Sequence, residues 1–148
     1  MKVSQRVTYG IMAAVDLAMS KDAPVQARAI ARRQAIPIRF LEQVLHMMKK
    51  AGLVEGLRGA QGGYVLLKKP SDLSVADIWE ALDGPVFRRS FHGQTAFDRR
   101  QSKQDQLLGD VWDQVQRAER DVLGNITVEQ LAGRQRAIEE QRNPMYHI

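Results

Sequence analysis

The chain has 148 residues, 44% of them hydrophobic, and no cysteine. That length predicts one domain, or a small domain with an extension, and the missing thiols exclude disulfides, thiolate metal sites and cysteine nucleophiles. The net charge of +5 is uneven: residues 1–70 carry 12 Lys and Arg against 4 Asp and Glu, residues 71–148 carry 10 against 13, so a polyanion is an expected partner of the first half only.

In chain order, residues 4–20 predict a helix. Val7, Ile11, Ala14, Val15 and Ala18 recur at helical spacing, and Ser4 is placed to cap the start. The early stretch lacks the uninterrupted apolar core of a signal peptide, and no apolar run is long enough to span a bilayer. A cytoplasmic protein is expected. Lys21 to Pro24 breaks the helix, and residues 26–34 predict a second one, with Ala27, Ile30 and Ala31 inward and Arg28, Arg32 and Arg33 outward. Pro37 stands at the start of a third helix over 38–51. Leu41, Val44, Leu45 and Met48 form its apolar stripe, while Arg39, Gln43, His46 and Lys50 line the opposite face. Gly52 supplies a C-terminal stop.

Two short helices joined tightly, the second with long hydrogen-bonding side chains on its free face, form a helix-turn-helix pattern. Such a helix fits the major groove, where Gln pairs with adenine and Arg with guanine. The plainer reading is a helical hairpin with a solvated face. Directly afterwards, 53–57 and 64–67 predict two strands around Arg58-Gly59-Ala60-Gln61-Gly62-Gly63. A hairpin in that place is a wing, and an arginine at its tip suits a narrow minor groove. A phosphate-binding loop does not fit, because that motif opens a helix and here a strand follows.

Residues 71–82 predict a helix with Val75, Ile78, Trp79 and Leu82 inward and a Ser74–Asp77 capping box. Gly84-Pro85 ends it, and 86–103 reads as a loop. Residues 107–123 give the longest helical pattern. Leu108, Val111, Trp112, Val115, Ala118 and Val122 form a stripe that needs a partner, expected to be a second copy across a two-fold axis. Thr127 caps a last helix to about residue 141. The expected fold is therefore mainly α with a small β-hairpin: a winged helix-turn-helix over 1–83, a variable loop over 84–103, and a dimerisation helix with a C-terminal helix and tail over 104–148.

Ser4 with Tyr9-Gly10, then Phe40-Leu41-Glu42-Gln43, Ala51-Gly52-Leu53-Val54, Arg58-Gly59 with Gly62-Gly63-Tyr64, and Asn125-Ile126-Thr127 follow one another along the chain. This succession resembles the Rrf2 family of bacterial winged-helix transcription regulators, of the IscR, NsrR and CymR kind, and is most like the cluster-free CymR type. The resemblance implies a cytoplasmic homodimer on a palindromic double-stranded operator, a repressor by expectation. It implies that the helix bearing Gln43 reads the major groove, that the wing bearing Arg58 enters the minor groove, and that Glu42 contacts bases. The expected DNA-binding residues are Arg28, Arg39, Glu42, Gln43, His46, Lys50, Arg58, Gly59 and Gln61. The expected dimerisation residues are Leu108, Val111, Trp112, Val115 and Val122. Where the family often has a polar cap, Pro37 stands, and Val7-Thr8 replaces a frequent glycine-arginine pair, so Arg6 and Lys2 are candidates for the N-terminal phosphate contacts.

Cluster-binding relatives carry three cysteines in the region matching 86–103. This chain has none, so a thiolate-held iron–sulfur cluster is excluded and no cofactor is expected. His46, His92 and His147 have no metal-site spacing. Control then falls to a small effector or a partner protein. The likeness to the cysteine-metabolism type implies O-acetylserine thiol-lyase, whose active site would take a terminal isoleucine such as Ile148; the plainer reading packs Met145, Tyr146 and Ile148 on the protein itself. A non-specific architectural DNA binder is the alternative function. An enzyme is not expected, since there is no nucleotide fingerprint, serine elbow or metal signature.

Overall fold

The computed structural model describes residues 2–21, 24–84 and 103–143, and side chains from 106 onward in the last segment. The expectations placed on 86–102, on His92 and on residues 144–148, His147 and Ile148 included, lie outside the described residues.

Helix α1, Gln5–Met19, forms where expected. The Ser4 hydroxyl accepts from the Val7 backbone N–H, and Val7, Ala13, Ala14, Val15 and Leu17 are buried. Helix α2, Ala27–Gln34, and helix α3, Ile38–Lys50, follow. Both end in a left-handed residue, Ala35 (φ 53°) and Gly52 (φ 75°). In each case the next N–H reaches back five residues, Ile36 to the Ala31 carbonyl at 2.9 Å and Leu53 to the Met48 carbonyl at 3.0 Å. These Schellman stops bury Ile36 and Leu53, so each stop also fastens the chain to the core. Pro37 is the N-cap of α3 and provides no side-chain capping bond.

Strands β1, Val54–Leu57, and β2, Gly63–Leu66, pair antiparallel with Val54 opposite Leu66 and Leu57 opposite Gly63. Gly63, expected in the turn, belongs to the strand. The next expected helix is split: a single 3₁₀ turn, Pro70–Asp72, precedes helix α4, Val75–Asp83. The division follows from the Ser74–Asp77 capping box, which fixes the α-helical start at Val75.

Helix α5, Lys103–Asn125, is longer than the apolar stripe predicts. Helix α6, Val128–Arg142, opens with a second capping box in which the Gln130 side chain accepts from the Thr127 N–H. Its docking was not legible in local periodicity. Val128 and Ala132 are buried in the same core as α1, and α6 packs directly on α1. Backbone hydrogen bonds from Val75 N to the Ile126 carbonyl (2.9 Å) and from Val128 N to the Leu73 carbonyl (2.8 Å) join the starts of α4 and α6.

One core results, centred on Val7, Ile30, Leu41, Leu45, Met48 and Ile78. At Gly10 a Cβ would overlap the Leu82 side chain, so glycine there permits the close crossing of α1 and α4. No helix among the described residues is long and apolar enough to cross a membrane.

Candidate nucleic-acid interface

The α3 stripe is fully enclosed: Leu41, Leu45 and Met48 are 0% exposed and Val44 is 1%. Burying one face to that degree fixes the rotation of the helix. Arg39, Glu42, Gln43, His46 and Lys50 are all exposed on the remainder. Tyr9 of α1 meets Phe40 edge to face, with centroids 5.3 Å apart, and this pair sets how the start of α3 sits on α1. Arg28 is exposed on α2.

Arg33 is exposed, as expected, but it is paired. Its Nη2 donates to Asp16 Oδ1 at 2.6 Å and its Nε to Oδ2 at 3.0 Å, and the Gln34 amide donates to the same Oδ2 at 3.0 Å. Asp16 is 4% exposed and is the one buried charged residue among those described. Hydrogen bonding to Asp16 raises the Arg33 pKa against the opposing effect of desolvation. A buried carboxylate needs such pairing, and here the pairing locks α2 onto α1. Arg6 is likewise committed. It donates to the Leu82 carbonyl at 3.1 Å and lies 3.8 Å from Asp83, whose Oδ2 also accepts from Ser4 at 2.7 Å. Arg6, a candidate for a phosphate contact, thus also ties the start of α1 to the end of α4, while its side chain stays 47% exposed. Lys2 is exposed.

The wing is anchored through its second strand. Gly63 (φ 152°) abuts the Val25 backbone, and Val25 and Tyr64 exchange hydrogen bonds of 3.0 and 2.7 Å. The segment before α2 therefore acts as a third, one-residue strand, a feature that local sequence did not show. At the tip Arg58, Gly59, Ala60 and Gln61 are exposed, with Gly59 at φ 108°. The exposed candidates thus lie on three successive elements, α2, α3 and the hairpin, all held by one core.

The α5 stripe is bare. Leu108 is 42% exposed, Val111 46%, Trp112 48%, Val115 45% and Val122 58%. Ala118 is exposed too. No group of three or more His, Asp or Glu that could hold a metal occurs among the described residues.

Comparison with known proteins matches residues 3–134 to the Rrf2 family profile, described as an iron-dependent transcriptional regulator. The HTH-type transcriptional regulator CymR of Bacillus subtilis is 31% identical over 133 residues, 89% of this chain and 90% of that protein. An rrf2-like HTH-type regulator of Rhodobacter capsulatus is 39% identical over 88 residues, 57% of this chain and 59% of its own length. The chain thus spans under two thirds of that relative and nearly all of CymR. Among solved structures, CymR, the global cysteine regulator of B. subtilis, superposes with a TM-score of 0.71 at 29% identity, over 90% of this chain and 97% of that one. T. potens IscR gives 0.69 at 34% identity, over 91% and 88%. The iron in the family's description finds no thiolate here to hold a cluster, because the sequence contains no cysteine.

Proposed function

The chain belongs to the Rrf2 family of transcriptional regulators, and on that premise we propose that it is a homodimeric, sequence-specific repressor acting on a near-palindromic operator in the cytoplasm. The observation that carries this is the division of α3: one face at or near zero exposure, the other presenting Arg39, Glu42, Gln43, His46 and Lys50 without a break. In this reading that face enters the major groove. Arg28 and Lys50 meet phosphates, Gln43 and Arg39 meet base edges, and Glu42 accepts from cytosine. Arg58, Gly59 and Gln61 reach the adjacent minor groove.

Residues 1–83 then carry the DNA-reading unit, 84–103 a variable connection and 104–148 the dimerising part. A second copy covers Leu108, Val111, Trp112, Val115 and Val122, pairing two reading units for two half-sites. Without cysteine, the signal is a small effector or a protein. The likeness to the global cysteine regulator of B. subtilis favours O-acetylserine thiol-lyase as the partner to try first. An operator affinity that does not change on adding that enzyme, with or without O-acetylserine, removes it.

The test of the main reading is selection of random duplexes on the purified chain. A two-fold symmetric motif, bound roughly 10³-fold or more above random DNA, is expected of a specific regulator. Binding that only fades with salt, with no enriched motif, indicates an architectural phosphate binder instead.

A further inference from the structure

The wing tip is a closed turn rather than a loose loop. The Gly62 N–H donates to the Gly59 carbonyl at 2.9 Å. Gly62 is buried although it stands at the tip, and a Cβ there would overlap the Leu57 carbonyl oxygen. Directly behind it, Gly63 and Tyr64 are fastened to Val25. The two central positions of the turn are Ala60 and Gln61, both exposed. Between Arg58 and Gly63 the only long side chain is therefore that of Gln61, on a bare backbone slim enough for a groove about 6 Å wide.

The chemistry of the two long side chains at the tip differs. A guanidinium carries donors only, whereas a carboxamide places an acceptor beside a donor. In the minor groove A·T pairs offer acceptors alone, and G·C adds the guanine N2 amino donor. Guanine thus presents a donor next to its N3 acceptor, the complement of a carboxamide. We propose that Gln61 is a specificity-determining residue through which the wing selects a G·C pair: its carbonyl accepts from guanine N2 and its amide donates to N3 of the same base. Arg58 beside it, having no acceptor, favours A·T. The wing then reads a G·C pair set against an A·T preference.

This inference rests on the chain being an operator-binding regulator whose wing lies in the minor groove, and the experiment separates the two. Each base pair under the wing in the selected operator is made G·C, A·T or inosine·C, and affinity for the full-length protein is measured. Inosine lacks only the N2 amino group. At one position per half-site, G·C is expected to bind about tenfold better than either A·T or inosine·C. Gln61→Ala, at an exposed position, is expected to bring all three within about twofold while leaving the preferences under α3 intact. Equal binding of G·C and inosine·C, an A·T preference throughout, or a G·C preference that survives in Gln61→Ala overturns the assignment of Gln61 but not the regulator. Failure to select any motif overturns both.

Discussion

Helices α3 and α5 are built on the same sequence logic and end in opposite situations. Each carries an apolar stripe at helical spacing against a polar remainder. On α3 the stripe is sealed, with Leu41, Leu45 and Met48 at 0% exposure, so the exposed face is the polar one. On α5 the stripe itself is open, with Leu108, Trp112 and Val122 between 42 and 58% exposed. The difference lies in neighbours. Helix α3 is surrounded by α1, α2, α4 and β1, while α5 lies against α4. An amphipathic pattern thus predicts that a face will be covered, and only the rest of the chain shows whether this molecule covers it itself.

The comparison can be broken most forcefully at Leu45. Leu45→Ala removes side-chain volume from a closed core and is expected to cost about 2–5 kcal/mol in urea unfolding. A cost like that of an exposed site, within about 0.5 kcal/mol, would show that the α3 face is not sealed. Next comes Val111→Glu on α5. If a second copy covers the stripe, the buried charge is expected to weaken dimerisation by roughly 100-fold while the circular dichroism of the fold is retained. A dimer persisting in sedimentation at low micromolar concentration would place the interface elsewhere. Arg58→Ala leaves both helices alone and is expected to weaken operator binding by about 1–3 kcal/mol; an unchanged affinity removes the wing from the interface. The smallest effect concerns the stop that aims α3. Ala35 sits at φ 53°, and Ala35→Gly is expected to raise stability by up to about 1 kcal/mol as the strain of a left-handed alanine is relieved. A lower melting temperature would mean that the entropy of glycine outweighs that strain.

Much of the fold could be read locally because its signals are local. The Ser4 cap, the Ser74–Asp77 box, the Gly52 stop and the α3 stripe are each fixed by residues within one or two turns of each other. What stayed hidden has long-range causes. The partner of Arg33, Asp16, lies 17 positions earlier, and the carbonyl that Arg6 reaches, that of Leu82, lies 76 positions later. The docking of α6 depends on Val128 and Ala132 meeting α1, which no window of sequence contains. At the candidate interface, spacing identified Arg39, Gln43, His46 and Lys50 and the resemblance added Glu42, whereas the Val25–Tyr64 exchange that fastens the wing appeared only in three dimensions.

That docking of α6 has a consequence for synthesis. Helix α1 emerges from the ribosome well before α6: Val128 and Ala132, which complete its surroundings, emerge over a hundred residues later. At about 5–20 residues per second the interval is roughly 5–25 s. During it the part of α1 awaiting α6 stays uncovered, and over roughly the last 20 residues the stripe of α5 joins it, leaving the tunnel before the core can close. Contacts between such distant residues also slow folding, because a long loop must close before they form. A chain in which α1 and α6 are neighbours cannot finish its core piecemeal, and α1 is the surface that most needs shielding during translation.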